Sequence, residues 1–214
     1  MAATVQIREI ISANAAGFQR DPSLAMDAAL TSINKSAGTL RFRTNLSTAV
    51  DAANPIPIPA SGTNYSWEKC VVFYLGSING PEVNIDNLRF YTDGTNSWTG
   101  VSLYVSSGAG PVGFEPGWTA DLAASTAAQY TALLGTDSAA GRAVVDAFNY
   151  TAAAPLALQG AGAGNGDDGV ANVFTAAFDG MHVGNLLLMQ MDVASTATAG
   201  TLAAETMTFA FDEN

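Results

Sequence analysis

Hydrophobic positions along this chain come in short runs that alternate with polar ones, and Gly, Pro, Asn and Asp separate the runs. An antiparallel sheet is written this way. The block from Tyr65 to Val105 shows it best. Cys70 to Leu75 is apolar on both faces, as a central strand covered on each side requires. Val83 and Ile85 share one face, but Leu88 and Phe90 need an extra residue to join it, which predicts a β-bulge at Asp86-Asn87. Val101, Leu103 and Val105 alternate with Ser102, Tyr104 and Ser106, the pattern of a half-buried strand.

The flanks extend the pattern. Val5 and Ile7 against Gln6 and Arg8 predict a first strand over residues 4–11. Asp21 and Pro22 are an N-cap and first residue for a short helix over Pro22–Ile33. Thr39 to Arg43 reads as a short strand. The Pro55, Pro57 and Pro59 repeat cannot donate to a ladder, so it predicts an extended connector or a sheet edge. Residues 107–142 read as a loop elaboration with an Ala-rich helix over Asp121–Leu134, ended by Gly135. Strand signals return at Ala143–Tyr150 and Val170–Phe178. Leu187, Met189, Met191 and Val193 then share a face, with Gln190 and Asp192 opposite. Met207, Phe209 and Phe211 line a last strand, and 194–200 would join the two as a hairpin. Nine or ten short strands make an all-β antiparallel sandwich, jelly-roll-like or immunoglobulin-like, with one or two short helices in its loops. The expected organisation is a single domain over 1–214 with an N-terminal arm at 1–20.

Composition narrows the functions. Only 13% of the 214 residues are charged, so the surface relies on Ser, Thr, Asn and Gln or is covered by neighbours, as in an assembly. The net charge of −11, with Lys35 and Lys69 the only lysines, argues against nucleic acid. The single cysteine, Cys70, excludes an internal disulfide and reads as a small buried hydrophobe. No apolar run reaches the roughly 20 residues of a membrane helix. The N-terminus lacks the basic and long apolar regions of a secretory signal, which points to a cytoplasmic origin.

Chemistry is sparse. His182 is the only histidine, so any Ser-His-Asp triad or histidine metal site would have to use it, and it reads as a turn or edge residue. The Gly160–Gly169 run lacks the Gly-Lys-Ser/Thr of a phosphate loop and reads as flexible. Asp86-Asn87, Asp93 with Asn96, Asp167-Asp168 and Asp212-Glu213 are calcium-type oxygen clusters, but turns use the same residues for local hydrogen bonds. Neither a cofactor nor a metal is expected. Most acids sit in turns, away from the facing-carboxylate geometry of a glycosidase. Trp67, Trp98 and Trp118, with Tyr65, Tyr91 and Tyr104, would suit either a sugar platform or sandwich rims and subunit contacts. No enzyme activity is expected from this inventory.

Three segments carry a resemblance. Gly62-Thr-Asn-Tyr-Ser-x-x-Lys69, Ile85-Asp-Asn-Leu-Arg-Phe-Tyr-Thr-Asp-Gly94, and Ala199-Gly-x-Leu-x-x-Glu-Thr-Met-Thr-Phe-x-Phe-Asp-Glu213 resemble small structural proteins of tailed bacteriophages, as does the opening Ala3-Thr-Val-Gln-Ile7 strand. The resemblance implies a virion protein, assembled in the host cytoplasm, that decorates or cements the capsid. Its expected partners are the major capsid protein or another virion protein, and copies of itself in a closed oligomer, a trimer first. Ile7, Pro55, Pro57, Trp98 and Trp118 are the candidate contacts. The alternative is a tail or surface β-sandwich that binds carbohydrate or a receptor.

Overall fold

The computed structural model describes residues 3–10, 32–43, 55–66, 69–78, 84–108, 144–158, 174–175 and 179–214. The fold they form is an antiparallel β-sandwich. Its strands are β1 (Thr4–Ile10), β2 (Ser32–Asn34), β3 (Thr63–Tyr65), β4 (Lys69–Ser77), β5 (Ile85–Tyr91), β6 (Val101–Gly108), β7 (Val145–Asp146), β8 (Leu156–Ala157), β9 (Met181–Ala194) and β10 (Thr208–Glu213). A seven-stranded sheet runs β2-β1-β4-β9-β6-β7, with β3 also on β9, and a three-stranded sheet runs β10-β5-β8.

The core lies between the sheets. Val71, Phe73 and Leu75 of β4 and Leu187 and Met189 of β9 face Ile85, Leu88 and Phe90 of β5, all at 1% exposure or less. Each such side chain contributes roughly 1.5–3 kcal/mol by leaving water. Phe209 of β10 packs edge-on against Phe73 and tilts against Phe90, at 5.8 and 5.2 Å between ring centroids. Cys70 and Val72, on the other face of β4, are buried too. The doubly covered central strand is therefore real, lying between β1 and β9.

The bulge also stands where the pattern placed it. Ala210 faces Arg89 and Asp212 faces Asp86, so Asn87 and Leu88 together oppose Phe211. Asn87 takes φ +52°, the left-handed region that Asn tolerates better than most residues. A second irregularity lies in β9: Val183 pairs Phe73 and Leu187 pairs Val71, leaving residues 184–186 opposite Val72. There Asn185 N–H donates to Leu158 O at 2.6 Å and Leu158 N–H to Leu88 O at 2.7 Å, so backbone bonds tie the two sheets together. Gly184, at φ +77°, lets the backbones meet: a Cβ there would lie 2.5 Å from Leu158 O.

Four sequence expectations are corrected. Thr39–Arg43 forms no strand; Leu40 and Phe42 satisfy the alternation by packing on the core without a ladder. Ser32 and Ile33, the end of the expected helix, pair with β1; the rest of that helix lies outside the described residues. Ala143–Tyr150 holds only the two-residue β7 and then a 3₁₀ turn, Ala147–Asn149, because the Asp146 carboxylate captures the Phe148 N–H at 2.9 Å. β9 and β10 are not a hairpin, since the segment between them crosses from one sheet to the other and β10 pairs with β5. The helix at 121–134, the glycine run at 160–169 and most of Val170–Phe178 lie outside the described residues; Phe174 bridges to Ile85.

Candidate functional site

Among the described residues, the sandwich is not closed along its β10 side. A cleft of about 1290 Å³ opens there, floored by Val5, Ile7, Phe73 and Met191 from the seven-stranded sheet. One wall carries Leu40, Phe42, Ile56 and Ile58; the other carries Trp98, Leu202, Met207 just before β10, and Phe209 and Phe211 of β10. Ile58, at 38%, is the exposed large hydrophobe among the described residues. This apolar hollow is the candidate binding surface.

Each element has a local reason for its position. The Asn96 amide oxygen accepts from Trp98 N–H at 2.9 Å and its NH₂ donates to Val101 O at 2.9 Å, which folds the loop before β6. Trp98 then packs edge-on against Phe148, 5.7 Å between centroids, and its indole N–H donates to Ala203 O at 2.8 Å. Glu205 accepts from the Ser97 hydroxyl and backbone N–H, fixing the same loop to the segment before β10. On the opposite wall, Lys35 N–H donates to Ile7 O and a turn follows, which brings Leu40–Arg43 back over β1.

Three of the five candidate contacts meet at this cleft: Ile7 in its floor, Pro55 and Trp98 in its walls. Pro57 does not line it; its carbonyl instead accepts from the Asn64 amide at 2.7 Å. Trp118 lies outside the described residues. Sequence reasoning missed Leu40, Phe42, Met207, Phe209 and Phe211 as site residues. Their alternation was visible, but it was assigned to paired strands with one polar face.

Charge around the cleft is unlike that of the whole molecule. Lys35, Arg41 and Arg43 line it, against Glu205 alone among acids. Beneath it both lysines converge on Glu9: Lys69 Nζ lies 2.6 Å from Oε1 and Lys35 Nζ 3.3 Å from Oε2. Glu9 and Lys69 side chains are fully buried. Burial pulls the Lys69 ammonium below its ordinary range, against the opposing attraction of Glu9. Arg41 is half-buried and has no acid within ion-pair distance among the described residues.

Elsewhere the polar groups serve the fold. His182 sits in β9, a central strand and not the expected turn or edge, and is 4% exposed. Its Nε2 lies 3.1 Å from the Ser32 hydroxyl, its ring meets Tyr74 edge-on, and the Arg8 guanidinium stacks 3.6 Å over Tyr74. Arg8 also donates to the Ser32 hydroxyl, so the pair belongs to a below-surface network joining β1, β2, β4 and β9. Asp192 is pushed up by burial while Ser102 N–H donates to it at 3.2 Å, and burial with the nearby Asp192 and Asp146 charges raises the Tyr104 phenol. The acidic turns hold their own chains: Asp93 accepts from Thr95 N–H, Asp86 from the Asn214 amide, and Asp212 from Asn87 and Arg89. Among the described residues no three His, Cys, Asp or Glu side chains converge on one point. No described helix is long and apolar enough to cross a membrane. Compared with family models, curated proteins and solved structures, the chain matches none.

Proposed function

We propose that this protein is a non-enzymatic structural component of a virion, which decorates or cements the capsid through protein–protein contacts. The observation that carries the reading is the open apolar cleft, where Ile7, Pro55 and Trp98, each chosen from sequence as a contact, meet around one hollow. A hydrophobic centre with aromatic anchors and a polar rim is how stable protein interfaces are built. The sparse charge of the chain also suits close packing against neighbours. The partner proposed is the major capsid protein, with the chain itself arranged as a symmetric oligomer, a trimer first.

Co-sedimentation tests this. The purified chain should pellet with empty capsids and remain in solution with host envelopes or free glycans. Ile58→Asp should abolish pelleting while leaving the unfolding free energy within about 0.5 kcal/mol of wild type, because the side chain is at the rim. Pelleting with envelopes or glycans in place of capsids would instead favour a receptor- or carbohydrate-binding role on the tail.

A further inference from the structure

We infer that the cleft receives an extended peptide segment of a neighbouring subunit, added as a new strand beside β10 with a carboxylate against Arg41. This rests on the virion reading above and names the chemistry of the contact. The first support is the edge itself. β10 is the last strand of its sheet and pairs with β5 on one side, while its other edge has no backbone partner among the described residues. Native sheets blunt such edges with Pro, Lys or inward charge. Thr208 to Phe211 carries no Pro and no Lys, although the strand ends on Asp212 and Glu213 and β5 bulges opposite Phe211.

The facing wall supplies the second. Leu40–Arg43 alternates apolar and basic like a strand, yet makes no ladder. Leu40 and Phe42 line the hollow together with Met207, Phe209 and Phe211, and Arg41 lines it with them. A strand laid between them would satisfy the β10 backbone and place every second side chain among these apolar groups. Strand-addition sites divide recognition in this way: main-chain bonds give affinity and alternate pockets give specificity.

Charge is the third. In a chain of net −11, the half-buried Arg41 lines this hollow with no acid at ion-pair distance among the described residues. A carboxylate on the incoming strand would pair with it bidentately in a partly desolvated setting. A fatty acid would also offer an apolar body and a carboxylate, but it would leave the β10 edge unpaired.

The probe is an acetylated, amidated octapeptide alternating valine and threonine with one central glutamate, titrated calorimetrically into the full chain. Saturable binding is expected. It should weaken about tenfold with Arg41→Gln, and by at least about tenfold when alternate peptide amides on one edge are N-methylated. Equal binding of the N-methylated peptide, or binding of dodecanoate alone, would overturn strand addition. The two readings fail separately. Absence of peptide binding with intact capsid pelleting removes the strand and keeps the virion role. Peptide binding without capsid pelleting, with any host fraction, removes the virion role and, with it, the neighbouring subunit as source.

Discussion

Gly184 shows how one residue decides whether the two sheets can meet. Its φ of +77° disfavours any side chain, and the missing Cβ leaves room for Leu158 O and a Leu88 methyl, each 2.5 Å from where that Cβ would stand. Gly184→Ala should therefore cost about 2–5 kcal/mol in urea unfolding, combining left-handed backbone strain with overpacking. Gly62 has a similar φ of +74° with nothing within 4 Å, so Gly62→Ala should cost only the backbone part, about 1–2 kcal/mol. Equal losses would mean that the close approach at Gly184 contributes nothing.

The Glu9–Lys69 pair is the other decisive contact at this scale. Lys69→Met leaves a buried carboxylate whose ion-pair partner among the described residues is then Lys35, at 3.3 Å. The expected loss is about 3 kcal/mol, and Glu9→Leu combined with Lys69→Met should recover most of it, because a buried pair replaced by apolar groups is close to neutral. If the double variant is as unstable as the sum of the singles, the two groups are not coupled. Neither residue was legible as a pair: strand patterning shows which face a residue takes, but not that charges sixty positions apart share it.

Among elements, the bulge in β5 was readable and its brace was not. The phase slip between Ile85 and Leu88 required an extra residue, and Asn87 is that residue. Asp212, which accepts from the Asn87 amide at 2.7 Å and from Arg89 at 2.9 Å, came from a segment 125 positions away. Those two donors hold the Asp212 carboxyl below its ordinary 3.8. The unfolded chain therefore binds this proton more readily than the folded one. The stabilisation is present above about pH 3.8 and is lost as pH falls through the lowered folded value. Unfolding midpoints followed from about pH 5 to about pH 2 should fall less steeply for Asp212→Asn than for wild type. An unchanged slope would remove Asp212 as the brace.

β10 shows where sequence periodicity stops. The alternation of Met207, Phe209 and Phe211 correctly marks a strand with one apolar face. It cannot say which strand lies alongside, and the nearest candidate in sequence, β9, belongs to the other sheet. Thr39–Arg43 is the complementary case, since Leu40 and Phe42 alternate inward without any ladder. Both misreadings fall on the walls of the cleft. A strand that leaves an edge unpaired, and a strand-like segment that forms no ladder among the described residues, carry the same local signals as paired strands.

At the level of the molecule, composition and site point the same way. A low-charge, acidic sandwich whose described open side is apolar and locally basic would complement the partner proposed above, an apolar strand bearing carboxylates. Ile7, Pro55 and Trp98 were legible as apolar or rigid groups in a first strand, a connector and a loop. That they share one hollow depends on long-range topology: β1 against β4, and the chain crossing from β9 to β10. The most direct measurement is co-sedimentation of the full chain, and of Ile58→Asp, with empty capsids over a range of concentrations. Saturable pelleting of the wild type is expected, with loss of pelleting for the variant at unchanged stability. A wild-type chain that stays in the supernatant at every concentration would contradict the virion role.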